Sequence, residues 1–269
     1  VVLAHGLLVG LVVLAMAGCA KPPREQAFEP YPRFTQTVSE AQAPRFAQPS
    51  ALAGRTLKIA SNADIRLAPG EVVLTFDDGP RPDRTEAILD TLDRHGVKAS
   101  FLMVGHQALN HPQIVQEVAR RGHSVGHHTF THRNLADASP AEAEREIAAG
   151  EAAVAHALAG SGLSAAPFFR FPYLAQTSLL RAGLGEQGMV ILDVDVDSKD
   201  YYPESPGVVT KRTLDRLEER GRGIILFHDV HQRTVDMMDG FLAELTARGY
   251  RVVHLVPGQP DPELVVAGR

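Results

Sequence analysis

The 269-residue sequence predicts an α/β fold in which parallel strands close into a (β/α) barrel. Three observations predict it. From Pro69-Gly70 onward, short apolar runs alternate with longer amphipathic stretches, the pattern of successive strand-then-helix units. About seven such units occupy roughly 200 residues, and right-handed crossovers between parallel strands close that number most naturally into a barrel. The residues with chemical potential, Asp77, Asp78, His128, Arg170, Asp200 and His228, sit at or just past the carboxyl ends of predicted strands, where such barrels place their chemistry. An open doubly wound sheet is the runner-up, but no G-x-G-x-x-G follows the first strand.

The elements follow in order. Residues 71–76 read as a strand, and 84–95 as a helix with Ile88, Leu89 and Leu92 on one face, stopped by Gly96. Residues 99–104 form the next strand, 112–121 the next helix, and 124–127 a short strand that delivers a histidine pair. Residues 140–158 are a long helix rich in Ala and Glu, started by Ser139 as N-cap. The rhythm then repeats as strands at 168–171, 189–194, 223–227 and 251–255, with helices at 178–184, 208–220 and 234–248.

Ahead of this lies a different composition. Residues 1–18 are almost wholly apolar and lead into Met16-Ala17-Gly18-Cys19-Ala20, which resembles a bacterial lipoprotein signal with lipid attached at Cys19. The usual basic n-region is missing and the chain opens on Val1, so the expectation is a truncated or alternatively started N-terminus. Residues 19–68 are rich in Pro, Gln, Ala and Ser and are expected to form a lipidated, flexible tether, with at most a short strand at 56–59. The folded domain is expected at 69–258, with a tail at 259–269. The reading is thus of an exported protein held at a membrane of the cell envelope by a lipid anchor. Cys19 is the only cysteine, so no disulfide is used.

The net charge of −5, with Lys and Arg scattered, leaves no electrostatic footprint for nucleic acid, and no phosphate-cradling G-x-x-x-x-G-K is present. Instead, Asp77 and Asp78 end an apolar strand in the run Thr75-Phe76-Asp77-Asp78-Gly79-Pro80. Two adjacent carboxylates there call for a cation. His128 and His132, at i and i+4, can reach a single ion from one short helical turn or tight loop. One Asp and two His leave an open metal position, the arrangement of catalytic zinc sites, where the water pKa falls to roughly 7. H-T-F-T-H differs from the H-E-x-x-H of zinc peptidases because Thr129 stands in the place of the catalytic Glu.

Five motifs in order, T-F-D-D-G-P (75–80), H-T-x-x-H (128–132), R-x-P-Y (170–173), D-x-x-D (197–200) and L-F-H-D (226–229), resemble those of polysaccharide deacetylases of the NodB-homology type. The resemblance covers residues 72–256 and implies a distorted (β/α)7 barrel that removes acetyl groups from N-acetylhexosamine units of an acetylated polysaccharide. It implies Asp77 as general base and Asp78, His128 and His132 as ligands of a divalent metal, Zn²⁺ or a similar ion such as Co²⁺. Arg170 is implied to hold Asp77, and Tyr173, after Pro172, to offer its backbone N–H to the oxyanion. His228 is implied as general acid, oriented by Asp200; Asp193, Asp195 and Asp197 crowd the same segment, so that choice rests on the D-x-x-D spacing. Two positions depart from the pattern: Leu174 stands where a small residue is common, and Tyr201 where Trp usually follows. Chitin-like, peptidoglycan and exopolysaccharide substrates remain open. So do an O-acetyl ester or small-amide substrate for the same machinery, and a non-catalytic glycan-binding role.

Overall fold

The computed structural model describes residues 50–259, and every strand pairing within them is parallel. Seven strands make a nearly closed ring: β2 (Glu71–Asp77), β3 (Ser100–Met103), β4 (Ser124–His127), β5 (Phe168–Phe169), β6 (Val190–Ile191), β7 (Val196–Asp197) and β8 (Gly223–His228). β2 pairs with both β3 and β8, and the chain of pairings runs from β2 to β6 one way and through β8 to β7 the other. The expected distorted (β/α)7 barrel is therefore present, left open between β6 and β7. Helices α1 (Arg84–Arg94), α2 (Gly105–Asn110), α3 (Pro112–Arg120), α4 (Pro140–Leu158), α5 (Ser178–Glu186), α6 (Pro206–Arg220) and α7 (Gln232–Ala247) connect the strands.

Two sequence expectations are corrected. The seventh ring strand is the short β7, whereas β9 (Arg251–Pro257) joins β2 only at Glu71 and Val72 and spends its length on β1 (Ala53–Ile59). The tether expected to reach residue 68 therefore ends earlier, because β1 is a full strand of seven residues with Leu52 and Ile59 buried beside it or within it. The following 3₁₀ turn, Asn62–Asp64, serves the open edge of the ring. Asn62 Oδ1 accepts from Ile191 N at 3.1 Å, and Asn62 Nδ2 donates to Ile191 O. One side chain thus supplies the pairing that β7 does not. The signal segment, Cys19 and the C-terminal tail lie outside the described residues.

Period-two alternation on β2 divides its side chains between two layers. Val72, Leu74 and Phe76 face the helices, where Phe76 stacks between Phe101 and Phe227 at ring separations of 5.0 and 5.7 Å. Val73 packs in a second cluster with Leu102, Phe168, Leu192 and Ile224, and Thr75 and Asp77 continue the same face toward the carboxyl end. The barrel interior changes along one strand from hydrocarbon to hydroxyl to carboxylate. Each fully buried Phe or Leu of these layers contributes about 2 kcal/mol relative to exposure, which holds the polar end in place. Helix α4 begins at the expected N-cap: Ser139 N donates to Glu142 Oε2 at 3.0 Å.

Candidate metal centre and active site

Register brings the chemistry together. Asp77 on β2 pairs directly with His228 on β8, so the two strand ends present a carboxylate and an imidazole side by side. Asp77 is buried, and its Oδ1 takes a 2.7 Å bond from Arg170 Nη1. The Arg170 fork is itself fixed by Thr75 Oγ1 at 2.9 Å and Leu192 O at 2.8 Å. Burial pushes the Asp77 carboxyl above its usual range, and the Arg170 charge restrains that rise.

Asp78 leaves the strand with φ 76°, a left-handed conformation that Asp tolerates better than most residues, and this turns its carboxylate away from Asp77. Asp78 Oδ1 lies 3.6 Å from His128 Nε2 and 3.3 Å from His132 Nε2. His128 Nδ1–H donates to Arg170 O at 2.7 Å, which leaves Nε2 with its lone pair facing Asp78. Burial pushes His128 down to about 3, so the ring is neutral, as a ligand must be. The segment 128–132 is a tight loop in which Thr129 and His132 both have φ 62°. Glu146 of α4 ties it down, accepting from Thr131 N at 2.8 Å and Thr131 Oγ1 at 2.9 Å. Gly150 is required beneath it, since a Cβ there would lie 2.5 Å from the Thr129 carbonyl carbon.

The residues present fit a divalent cation. One ligand atom each from Asp78, His128 and His132 lies within 4.8 Å of the other two, and Asp78 Oδ1 is buried without a hydrogen-bond partner. A buried carboxylate oxygen with no donor, facing the His128 Nε2 lone pair and 3.3 Å from His132 Nε2, is unfavourable unless a positive charge sits among them.

Across the cleft, His228 Nδ1–H donates to Asp200 Oδ1 at 2.6 Å, while Asp200 Oδ2 accepts from His228 N at 2.7 Å and Thr234 Oγ1 at 2.6 Å. Burial opposes the charge on His228, but the bond to Asp200 and its charge outweigh that and lift the imidazole to about 9. Burial likewise opposes the Asp200 charge, and His228 more than compensates, holding the carboxyl below its usual range. The other acids of the segment go elsewhere: Asp193 pairs with Arg181, Asp195 accepts from Ile224 N, and Asp197 accepts from the Tyr201 hydroxyl.

These groups open into a cavity of about 370 Å³ lined by Asp77, Asp78, His128, His132, His228 and an apolar wall of Phe171, Tyr173, Leu174, Tyr201 and Leu226. Tyr173, with φ 59°, is 68% exposed, and its ring lies 4.6 Å from that of His132. Pro172 is buried as the first residue of the 3₁₀ turn and does not line the cavity.

The family model described as polysaccharide deacetylase matches residues 65–192. A peptidoglycan deacetylase structure from Bdellovibrio bacteriovorus superposes with a TM-score of 0.70 at 34% identity, covering 80% of this chain and 62% of that one. The chitin deacetylase structure from Colletotrichum lindemuthianum gives 0.62 at 30% identity, covering 72% of this chain and 90% of that one. The chain belongs to the polysaccharide deacetylase family. A peptidoglycan-N-acetylglucosamine deacetylase of Listeria monocytogenes is 33% identical over 182 residues, 68% of this chain but 37% of the relative's own length. This member of the family, a family of hydrolases, thus spans about a third of that longer relative.

Sequence reasoning missed three residues that brace the strands and loops around the candidate site. Glu146 gave no signal because it is one of several glutamates on α4. Asn62 lay in the segment read as tether. Asp229 stands in the L-F-H-D motif but was given no role; it is buried, with Oδ2 accepting from Thr85 Oγ1 at 2.6 Å, and burial pushes it up to about 7. It explains Gly79, where a Cβ would lie 2.1 Å from Asp229 Oδ2.

Proposed function

We propose that this chain is a metal-dependent deacetylase of N-acetylhexosamine units in a polymeric glycan. The observation that carries the reading is the convergence of Asp78, His128 and His132 beside an Arg170-held carboxylate and opposite an Asp200-held imidazole. A divalent ion held by those three side chains would act as a Lewis acid and lower the pKa of water to roughly 7. Asp77 has one oxygen committed to Arg170 and the other, Oδ2, free to take the proton as the water oxygen bonds to the acetyl carbon. The backbone N–H of Tyr173 donates to the oxyanion that then forms. His228, held by Asp200 through Nδ1, gives its Nε2 proton to the amide nitrogen as the C–N bond breaks, so acetate and a free amine leave. The apolar wall of Tyr173, Leu174 and Tyr201 offers a face for a sugar ring, with Tyr201 substituting for the larger Trp expected there.

The test is acetate release from acetylated chitooligosaccharides and acetylated xylan by zinc-loaded protein. Asp77→Asn is expected to lower release by about 10²- to 10⁴-fold while the metal stays bound; full activity in that variant would contradict the role of Asp77. Lipid attachment at Cys19, holding the domain at the cell envelope, belongs to the same reading. Among the described residues no helix is long and apolar enough to cross a membrane. Metabolic labelling with palmitate should mark the full chain and not Cys19→Ser.

A further inference from the structure

Two limbs of the cleft meet at Asp78 and His132, and their chemistry is opposite. The first is the apolar wall described above. The second, about 440 Å³, is lined by Arg81, Arg84, His106, Gln107, Val104 and Val230. Arg81 is exposed, and neither its guanidinium nor that of Arg84 has a carboxylate partner among the described residues, whereas Arg55, Arg121, Arg181 and Arg212 are ion-paired. Arg84 donates to the Val230 carbonyl, a neutral acceptor that fixes the side chain without cancelling its charge. His106 Nδ1–H donates to Phe130 O at 3.0 Å, which leaves its Nε2 unclaimed.

The acids nearby do not neutralise this limb. Asp78 is the one carboxylate lining it, and it faces His128 and His132. Glu86 accepts from Asp83 N at the start of α1, and Asp229 is buried against Thr85. Two guanidiniums beside His106 and Gln107 form a receptor for a planar anion, and Arg matches a carboxylate by its fork geometry.

We propose that this limb is a subsite for a carboxylate borne on the sugar next to the one deacetylated, so that the chain prefers an acidic glycan to a neutral one. The inference rests on the deacetylase reading above, because the limb adjoins Asp78 and His132, two of the residues that would hold the ion at which the glycan reacts.

The experiment uses the full chain loaded with zinc. The probe is an oligosaccharide alternating N-acetylglucosamine with a hexosamine that carries an ether-linked lactate, its carboxylates either free or converted to methylamides. The free acid is expected to bind and react about tenfold better, through Kd and KM rather than kcat, with the preference shrinking as salt is added. Arg81→Ala combined with Arg84→Gln should bring the ratio of the two forms to about one, and the exposed Arg81→Ala alone should lower it. A wild-type ratio of one, or a preference that survives in the double variant, overturns the subsite. Tighter binding of the free acid through these two arginines, without acetate release from either form, would sustain the subsite and refute the deacetylase reading.

Discussion

Two Asp–His assemblies face each other across the cleft and obey opposite rules. Asp200 and His228 form a finished interaction: the 2.6 Å bond is short, and both carboxylate oxygens are used within the protein. Asp78, His128 and His132 approach each other at 3.3 and 3.6 Å, beyond the ordinary hydrogen-bond range, and Asp78 Oδ1 has no partner although it is buried. In the first assembly a proton is shared and the imidazole is driven toward its charged form. In the second, His128 spends its N–H on Arg170 O, so its Nε2 lone pair meets the Asp78 carboxylate with no proton between them. The difference separates a pair that shares a proton from a cluster whose donor atoms fit a cation.

Breaking the second assembly should have the largest effect. Asp78→Ala removes a ligand and is expected to lower acetate release by at least about 10³-fold, read as kcat/KM in zinc-supplemented buffer. Asp77→Asn keeps the ligands and removes the proton acceptor, so a loss of about 10²- to 10⁴-fold with metal content retained is expected. Equal metal loss in the two variants would merge roles that the geometry keeps apart.

The first assembly is sharpened by pH. With His228 as the proposed acid, activity is expected below its pKa and should be lost as pH rises through about 9. Asp200→Asn should move that basic limb to lower pH, with a smaller loss near neutrality of about 10²-fold. The sign for stability is the same: the raised imidazole contributes stability that is complete below its ordinary 6.5 and is lost as pH climbs through about 9, which thermal melts across that window can read. Removing Glu146 should do least. Glu146→Gln weakens the tie on the 128–132 loop, and about a tenfold drop in metal affinity by competition with a chelator is expected.

Much of this was legible in the sequence because strands here end abruptly in polar groups. Glu71 to Phe76 is a near-continuous apolar run, so the carboxylates after it announced the mouth of the barrel. The His128 and His132 spacing was legible for the same reason, and the structure delivers it as a loop held by positive φ values. Strand β7 was not legible: Val196 and Asp197 lie within an alternation of Asp and Val with no apolar run to mark a strand. Nor was the pairing of β1 with β9, since parallel partners about 200 residues apart leave no local trace. Glu146, Asn62 and Asp229 act through contacts that only the folded chain creates, and so composition and spacing could not single them out.

The central claim is that Asp78, His128 and His132 together grip one divalent cation. Metal content per chain, measured by mass spectrometry after zinc loading and gel filtration, tests it most directly when wild type is compared with His132→Ala and Asp78→Ala. One ion per wild-type chain and none retained in either variant is the expected result; no ion in the wild type, or one ion in all three, would contradict it.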